Sequence, residues 1–159
     1  MSSKLEIRIN RRNLDKILKE ADEFNKKYQL VGILDDAPSG LAEVGYKNEF
    51  GASAASTDLG KDIPERSFIR LPLEERKEGI LHALFENNFW ETLVKNGASS
   101  ILEETASGAV VAIVDQIVSN HPAKKANSPY TLQRKSSTVP LKDKGILESN
   151  IKYKEVTSE

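Results

Sequence analysis

The feature that most constrains the fold is a segment between residues 101 and 118 whose apolar side chains recur at helical spacing. The main stripe consists of Ile101, Leu102, Thr105, Ala109, Ala112, Ile113, Ile117 and Val118, and Ala106, Val110, Val111 and Val114 widen it. A helix that is apolar on so many sides is normally buried. The segment therefore needs neighbours that cover it, either from its own core or from another subunit.

The remaining pattern predicts a small sheet and several more helices. In chain order the expected elements are a strand over residues 5–9, a helix over 14–24, a strand over 30–34, a short helix over 41–50, a mobile loop over 52–62, two helices between 70 and 118, an extended arm over 121–140, a short helix over 141–150 and a closing strand from 151. This order predicts a single α+β domain over residues 1–159, with a small, mostly antiparallel sheet packed against helices and with long loops or arms. The last strand is expected to pair with residues 5–9 or with residues 30–34.

Composition limits the classes of function. Of the 159 residues, 38% are hydrophobic and 30% are charged, so the core is expected to be modest for the length of the chain. The formal net charge of −1 provides no global field toward nucleic acid or an acidic membrane. The absence of cysteine excludes disulfides and cysteine zinc sites. With no signal peptide and no apolar run of roughly 18 residues, we expect a soluble protein without membrane contact.

Arrangements of residues that would carry catalysis are missing from the sequence. His82 and His121 stand far apart, outside any metal-binding spacing. No glycine-rich phosphate loop and no Gly-x-Ser-x-Gly elbow is present. Adjacent carboxylates such as Glu74 and Glu75 point in different directions on a helix and make poor acid–base pairs. We therefore expect no metal, no cofactor and no enzymatic activity.

A basic segment lies near the C-terminal end of the chain. Its cations are Lys124, Lys125, Arg134, Lys135, Lys142, Lys144, Lys152 and Lys154, offset only by Asp143 and Glu148. This bias indicates either a solubilising loop or non-specific contact with phosphates. Tyr130 and Tyr153 are its only aromatic residues, which argues against the reading of bases. The candidate subunit or DNA-channel contacts are Lys124, Lys125, Arg134, Lys135 and Lys142.

Two ordered groups of motifs stand out from the rest of the chain. The first group is Tyr46-Lys47-Asn48-Glu49-Phe50-Gly51 followed by Ile63-Pro64-Glu65-Arg66-Ser67-Phe68-Ile69-Arg70. Glu49 can accept charge-assisted hydrogen bonds from Arg66 or Arg70 if the intervening loop folds back. Phe50 and Phe68 are then expected to anchor the fold-back in the core, with Pro64 stiffening the chain and Gly51 allowing a left-handed turn.

The second group follows the basic arm. It consists of Ser128-Pro129-Tyr130-Thr131-Leu132, then Arg134-Lys135, Pro140-Leu141 and Asp143-Lys144-Gly145-Ile146-Leu147-Glu148-Ser149-Asn150-Ile151. Gly145 is expected to allow a left-handed turn. The local structural role expected of the two groups is a clamp between loops. Its residues are Asn48, Glu49, Phe50, Gly51, Pro64, Arg66, Phe68, Arg70, Pro140, Leu141, Asp143 and Gly145.

In this order the motifs resemble those of tailed-bacteriophage neck and tail-completion proteins, the HK97 gp10-like and Mu-like virion morphogenesis group. The resemblance covers roughly residues 41–153. It departs from the group at Lys144, where a Thr is usual, and at one extra residue before Ile151. Both departures concern the geometry of a local turn.

The resemblance implies a structural protein of the virion that assembles in the host cytoplasm. Such proteins form homo-oligomeric rings, here expected to be sixfold, at the neck or the head-proximal end of the tail, where packaged DNA passes. The implied partners are other copies of the chain, connector or stopper proteins, and tail terminator or tail tube proteins. Residues 52–62, 101–118 and 123–139 are the candidate contacts with these partners.

Three alternatives remain open at this point. A tail terminator or head-completion ring shares the α+β character and the location. A nucleic-acid-binding module using residues 124–154 would show salt-dependent binding. A hydrolase or transferase is the third, and the missing histidine, cysteine and glycine-loop chemistry argues against it.

Overall fold

The apolar segment forms the central helix of the fold. In the computed structural model, residues 11–57, 60–86, 89–119, 125–135 and 137–158 are described. Their helices and strands are α1 (Arg11–Lys26), β1 (Lys27–Ile33), α2 (Leu41–Phe50), α3 (Arg70–Glu86), α4 (Phe89–Asn96), α5 (Ala98–Val118), α6 (Pro129–Leu132) and β2 (Ile151–Thr157), with 3-10 helices at Ala54–Ser56 and Glu148–Asn150. This arrangement confirms the predicted α+β class with a small sheet.

The sheet that the structure describes has two antiparallel strands, β1 and β2. Lys27 lies opposite Thr157 and Ile33 lies opposite Ile151. Successive side chains of a strand point to opposite faces, so Val31, Ile33 and Ile151 share the face that meets the core. The closing strand therefore pairs with the strand predicted at residues 30–34. The other predicted partner, residues 5–9, lies outside the described part of the chain.

Helix α5 occupies the centre because α1, α3, α4 and both strands pack around it. One cluster of buried side chains joins it to the sheet and comprises Phe68, Ile113, Ile117, Leu147 and Ile151. A second cluster lies near its N-terminal end and comprises Leu93, Ala98 and Ile101. The chain thus covers most of its own apolar helix, and Val111 and Val118 are the large apolar side chains of α5 that stay exposed.

The helix predicted over residues 141–150 is wrong. This segment runs through turns, and only Glu148–Asn150 forms a 3-10 helix. Leu141 has φ 69° and Gly145 has φ 78°, and this left-handed conformation is incompatible with a continuous α-helix. The turns instead bring Leu147 into the core cluster that contains Phe68.

The loop after α2 is held by several hydrogen bonds. An antiparallel bridge joins Ala52 to Ile63, and the Ala54 N–H donates to Asp62 Oδ1 at 2.7 Å. Residues 58 and 59 lie outside the described ranges, and the predicted mobility of the loop stays a prediction. Among the helices that the structure describes, none is sufficiently long and apolar to cross a membrane.

Candidate functional site

The carboxylate of Glu49 is the centre of the first motif group. Glu49 is only 3% exposed, at the last turn of α2. Its Oε2 accepts hydrogen bonds from the backbone N–H groups of Phe68 at 2.7 Å and Ile69 at 2.9 Å. Its Oε1 accepts from Ser67 Oγ at 2.7 Å and from Arg70, through the backbone N–H at 3.1 Å and Nε at 3.0 Å. One side chain therefore fixes the whole segment that leads into α3.

One of these backbone donors, the Arg70 N–H, belongs to the first turn of α3, and the Phe68 and Ile69 N–H groups lie just before that turn. The first N–H groups of a helix have no partner within the helix, and the helix dipole favours a negative charge there. Burial acts to raise the pKa of Glu49, but the hydrogen bonds from Ile69, Ser67, Arg70 and Phe68 outweigh burial, so the pKa lies below its ordinary value. Glu49 is therefore ionised near neutral pH and acts as a distant cap of α3.

Of the two predicted partners of Glu49, Arg66 and Arg70, it is Arg70 that makes the contact, and Phe50 does not take its predicted position. The Arg70 guanidinium bridges Glu49 and Glu65, with Nη2 donating to Glu65 Oε1 at 2.8 Å. Phe68 is fully buried in the core, as predicted. Phe50 is 50% exposed, because it follows Glu49 on a different side of the helix, and it packs against Tyr46 and under Arg70. Of the two aromatic residues, Phe68 alone anchors the fold-back in the core.

Arg66 joins the two groups of motifs. Its Nη1 donates to Asn48 Oδ1 at 3.0 Å, and its backbone N–H donates to the Asn48 carbonyl at 2.7 Å. Its Nε and Nη2 donate to the carbonyls of Lys125 at 2.9 Å and Ala126 at 3.2 Å. Only 7% of Arg66 is exposed, and burial lowers its pKa from the ordinary value. The guanidinium thus anchors the start of the described arm to the end of α2.

The arm continues into a short helix whose start is well capped. Ser128 Oγ accepts the Thr131 N–H at 3.2 Å, and Pro129 occupies the first turn, where its missing N–H has no cost. Lys61 Nζ lies 4.3 Å from the centre of the Tyr130 ring, and Arg134 Cζ lies 4.4 Å from it. The loop after α2 and the arm therefore meet at Tyr130.

The last motif segment, residues 140–151, returns the chain from the arm to the core. Pro140 is buried, and the turn at Leu141 leads the chain back toward the core. Burial lowers the pKa of Lys135, Asp143 acts in the opposite direction, and the charge of Arg66 lowers it further. Asp143 and Arg66 therefore each lie close enough to Lys135 to act on its charge.

The structure thus brings together most of the residues that the motifs singled out. Direct hydrogen bonds join Asn48 to Arg66 and Glu49 to Arg70, and Gly51 has the positive φ expected of it, 75°. An ideal Cβ on Gly51 would lie 3.0 Å from the Glu65 nitrogen, so a larger residue would displace the Pro64 segment. Among the described residues, no hydrogen bond or ion pair joins Lys142 to Asn48, Glu49, Arg66 or Arg70, and Lys124 lies outside these residues.

Two residues that make contacts in this site, Ser67 and Lys61, were not predicted from the sequence. Ser67 donates to Glu49 and accepts the Leu71 N–H at 3.2 Å, and a serine just before a helix is a recognisable signal for such a cap. Lys61 joins Tyr130 although it lies in the first loop, far in sequence from the basic segment. Sequence spacing gives no signal for that contact.

The hydrogen bonds around Glu49 and Arg66 hold chain segments together and are poorly suited to catalysis. Glu49 is surrounded by donors and has a lowered pKa, which makes it a weak general base. Within the described ranges there is no group of three or more His, Asp or Glu residues placed to hold a metal ion. The arrangement holds three chain segments in a fixed relation through one buried carboxylate and one buried guanidinium.

No family model, no curated protein and no solved structure matches this chain. Over its described residues, the structure defines the class as an α+β fold with a two-stranded sheet, a central helix and an anchored arm.

Proposed function

We propose that this chain is a structural virion protein of a tailed bacteriophage, located at the neck or at the head-proximal end of the tail. It assembles there as a homo-oligomeric ring, sixfold in our proposal, and completes or joins the head–tail interface that DNA crosses. Its partners are neighbouring connector or stopper proteins and tail terminator or tail tube proteins. It has no enzymatic role in this proposal.

The observation that carries the proposal is the meeting of the two motif groups at Arg66. The first group supplies Asn48 and Arg66, and the guanidinium holds the backbone immediately before Ser128, where the second group begins. These partners are separated by 59 and 60 residues in sequence. A single structural purpose for both groups supports the resemblance to neck proteins, since the resemblance depends on both groups and on their order.

The geometry around Arg66 also favours assembly over catalysis. An arm anchored at its base can extend toward a neighbouring subunit without disturbing the core. The charged side chains of the arm would then form the contact with that subunit. A buried arginine held by three carbonyl-type acceptors is a rigid anchor, because its planar fork fixes several hydrogen bonds at once. This arrangement suits a protein that must keep its shape when it is loaded into a ring.

A groove next to Glu49 is the surface that we assign to a second copy in the ring. It has a volume of about 850 Å³. It lies between residues 30–34, at the end of β1, and the α2 side chains Tyr46 and Phe50. Tyr46 is 64% exposed and Leu30 is also exposed. Contiguous exposed apolar surface of this kind commonly marks an interface.

Native mass spectrometry tests the proposal directly. The purified chain, and then virions or tails that contain it, should give a sixfold ring, or a monomer that becomes sixfold only in the particle. Tyr46→Glu should block ring formation while leaving the monomer folded. Trp90→Glu is the matched control, because Trp90 is an aromatic residue of similar exposure, 62%, on α4. A stable monomer or dimer that is absent from particles would contradict the proposed function.

A further inference from the structure

A cationic surface forms where the loop after α2 meets the arm. Lys61 and Arg134 are both exposed, and both stack on the ring of Tyr130. We call these three residues the cationic stack. Lys125 is exposed on the same arm, with its backbone carbonyl fixed by Arg66. The positive charges are therefore held by two separate chain segments that the fold brings together.

In the part of the chain that the structure describes, some lysines are paired with carboxylates, whereas the two cations of the cationic stack are not. Elsewhere, Lys47 pairs with Glu43, Lys95 with Glu91 and Lys152 with Asp36. In contrast, neither Lys61 nor Arg134 forms an ion pair with any carboxylate among the described residues. The neighbouring Asp62 uses Oδ1 to accept the Ala54 N–H.

Among the residues that the structure describes, no negative charge is paired with the two positive charges of the cationic stack. Two like charges beside one ring repel each other, and the negative faces of an aromatic ring offset that repulsion only in part. An anion that contacts both cations would offset this repulsion. A phosphate suits the pair, since arginine offers a planar fork of donors and lysine a compact charge.

We propose that the cationic stack binds the phosphates of duplex DNA without sequence preference. The Tyr130 ring already carries two cations and is therefore not free to stack on a base, so the contact reads the charge of the backbone alone. The inference rests on the proposed function, because DNA is the polyanion that crosses a head–tail interface. It adds Lys61, from outside the basic segment, to the DNA-facing surface.

Fluorescence anisotropy of the full chain with a labelled duplex of about 20 base pairs, over a series of salt concentrations, tests this inference. The double variant Lys61→Gln/Arg134→Gln should flatten the plot of log affinity against log salt by about 0.9 for each phosphate that it no longer neutralises. The control Lys16→Gln/Lys77→Gln removes the same charge from exposed positions on α1 and α3. It should keep the wild-type slope. The swap Lys61→Arg/Arg134→Lys should also keep it, which separates charge from folding.

Equal slopes for the stack variant and the control variant would overturn the inference. Binding of polyglutamate in preference to DNA would also overturn it and would identify an acidic protein surface as the partner. These results are distinguishable from a failure of the proposed function. A sixfold ring without the slope change rejects only the DNA site, and a salt-dependent monomer absent from particles rejects only the ring.

Discussion

Two glutamates cap two helices in this protein, and the contrast between them shows what burial adds to a cap. Glu49 reaches the start of α3, and Glu20 reaches the start of α5, where its Oε2 accepts the Ala98 N–H at 2.9 Å. Both carboxylates accept a hydrogen bond from a backbone N–H at the start of a helix, where the first N–H groups have no partner within the helix. Glu49 is buried with five donors, whereas Glu20 is only partly buried and accepts from this one backbone donor.

The difference lies in what each carboxylate joins. Glu20 connects α1 to α5 across 78 residues of sequence, and Gly97 leaves room for it, because an ideal Cβ there would lie 3.0 Å from Oε2. Glu49 connects α2 to a complete segment of four consecutive residues, 67–70, and one of its donors is charged. Loss of Glu49 should therefore affect the whole segment 67–70 that leads into α3, whereas loss of Glu20 should affect one helix end.

The largest expected effect is that of Glu49→Ala. It leaves buried donors at Phe68 and Ile69 without a partner, so the free energy of unfolding should fall by about 3–5 kcal/mol. Urea denaturation followed by circular dichroism measures this change. Glu65→Ala is the control, because it removes the exposed partner of the same arginine and should cost no more than about 1 kcal/mol. Equal costs for the two variants would remove the distinction between buried and exposed carboxylates.

Acid should reproduce part of this loss. Because the pKa of Glu49 is lower in the folded protein than in the unfolded chain, its contribution is complete above the unfolded value, about 4.3. The contribution is lost as the pH falls through the folded pKa. The stability difference between wild type and Glu49→Gln should therefore shrink between about pH 5 and pH 2 in urea titrations. A difference that stays constant over that range would mean that Glu49 is not held as a carboxylate.

The smallest effect is expected for Glu20→Ala. Loss of one partly buried cap should lower the free energy of unfolding by about 1 kcal/mol, in the range measured for N-cap residues. Asp15→Ala, an exposed change on the same helix, should stay within a few tenths of a kcal/mol. If Glu20→Ala lowered the free energy of unfolding as much as Glu49→Ala, the number of donors would not determine how much these caps stabilise the protein.

Parts of the site could be predicted from local sequence. The end of α2 follows from Gly51, a contact of Glu49 with Arg66 or Arg70 follows from their charges around a loop, and burial of Phe68 follows from its apolar side chain. The exposure of Phe50 and the turns at 141–150 were not predicted. Phe50 belongs to the solvent side of α2 because Glu49 occupies the buried side. Leu141 adopts a positive φ, and its side chain packs against the core cluster that contains Phe68.

The sequence by itself determined the type of most elements, the burial of the apolar helix α5 and the need for a partner for Glu49. Periodicity carries this information, because side chains within a few residues of each other define the face of a helix or strand. The tertiary structure alone decided that Arg66 holds the arm, that Lys61 meets Tyr130 and that β2 pairs with β1. These contacts join residues far apart in sequence, and they depend on how the helices and the sheet pack around α5.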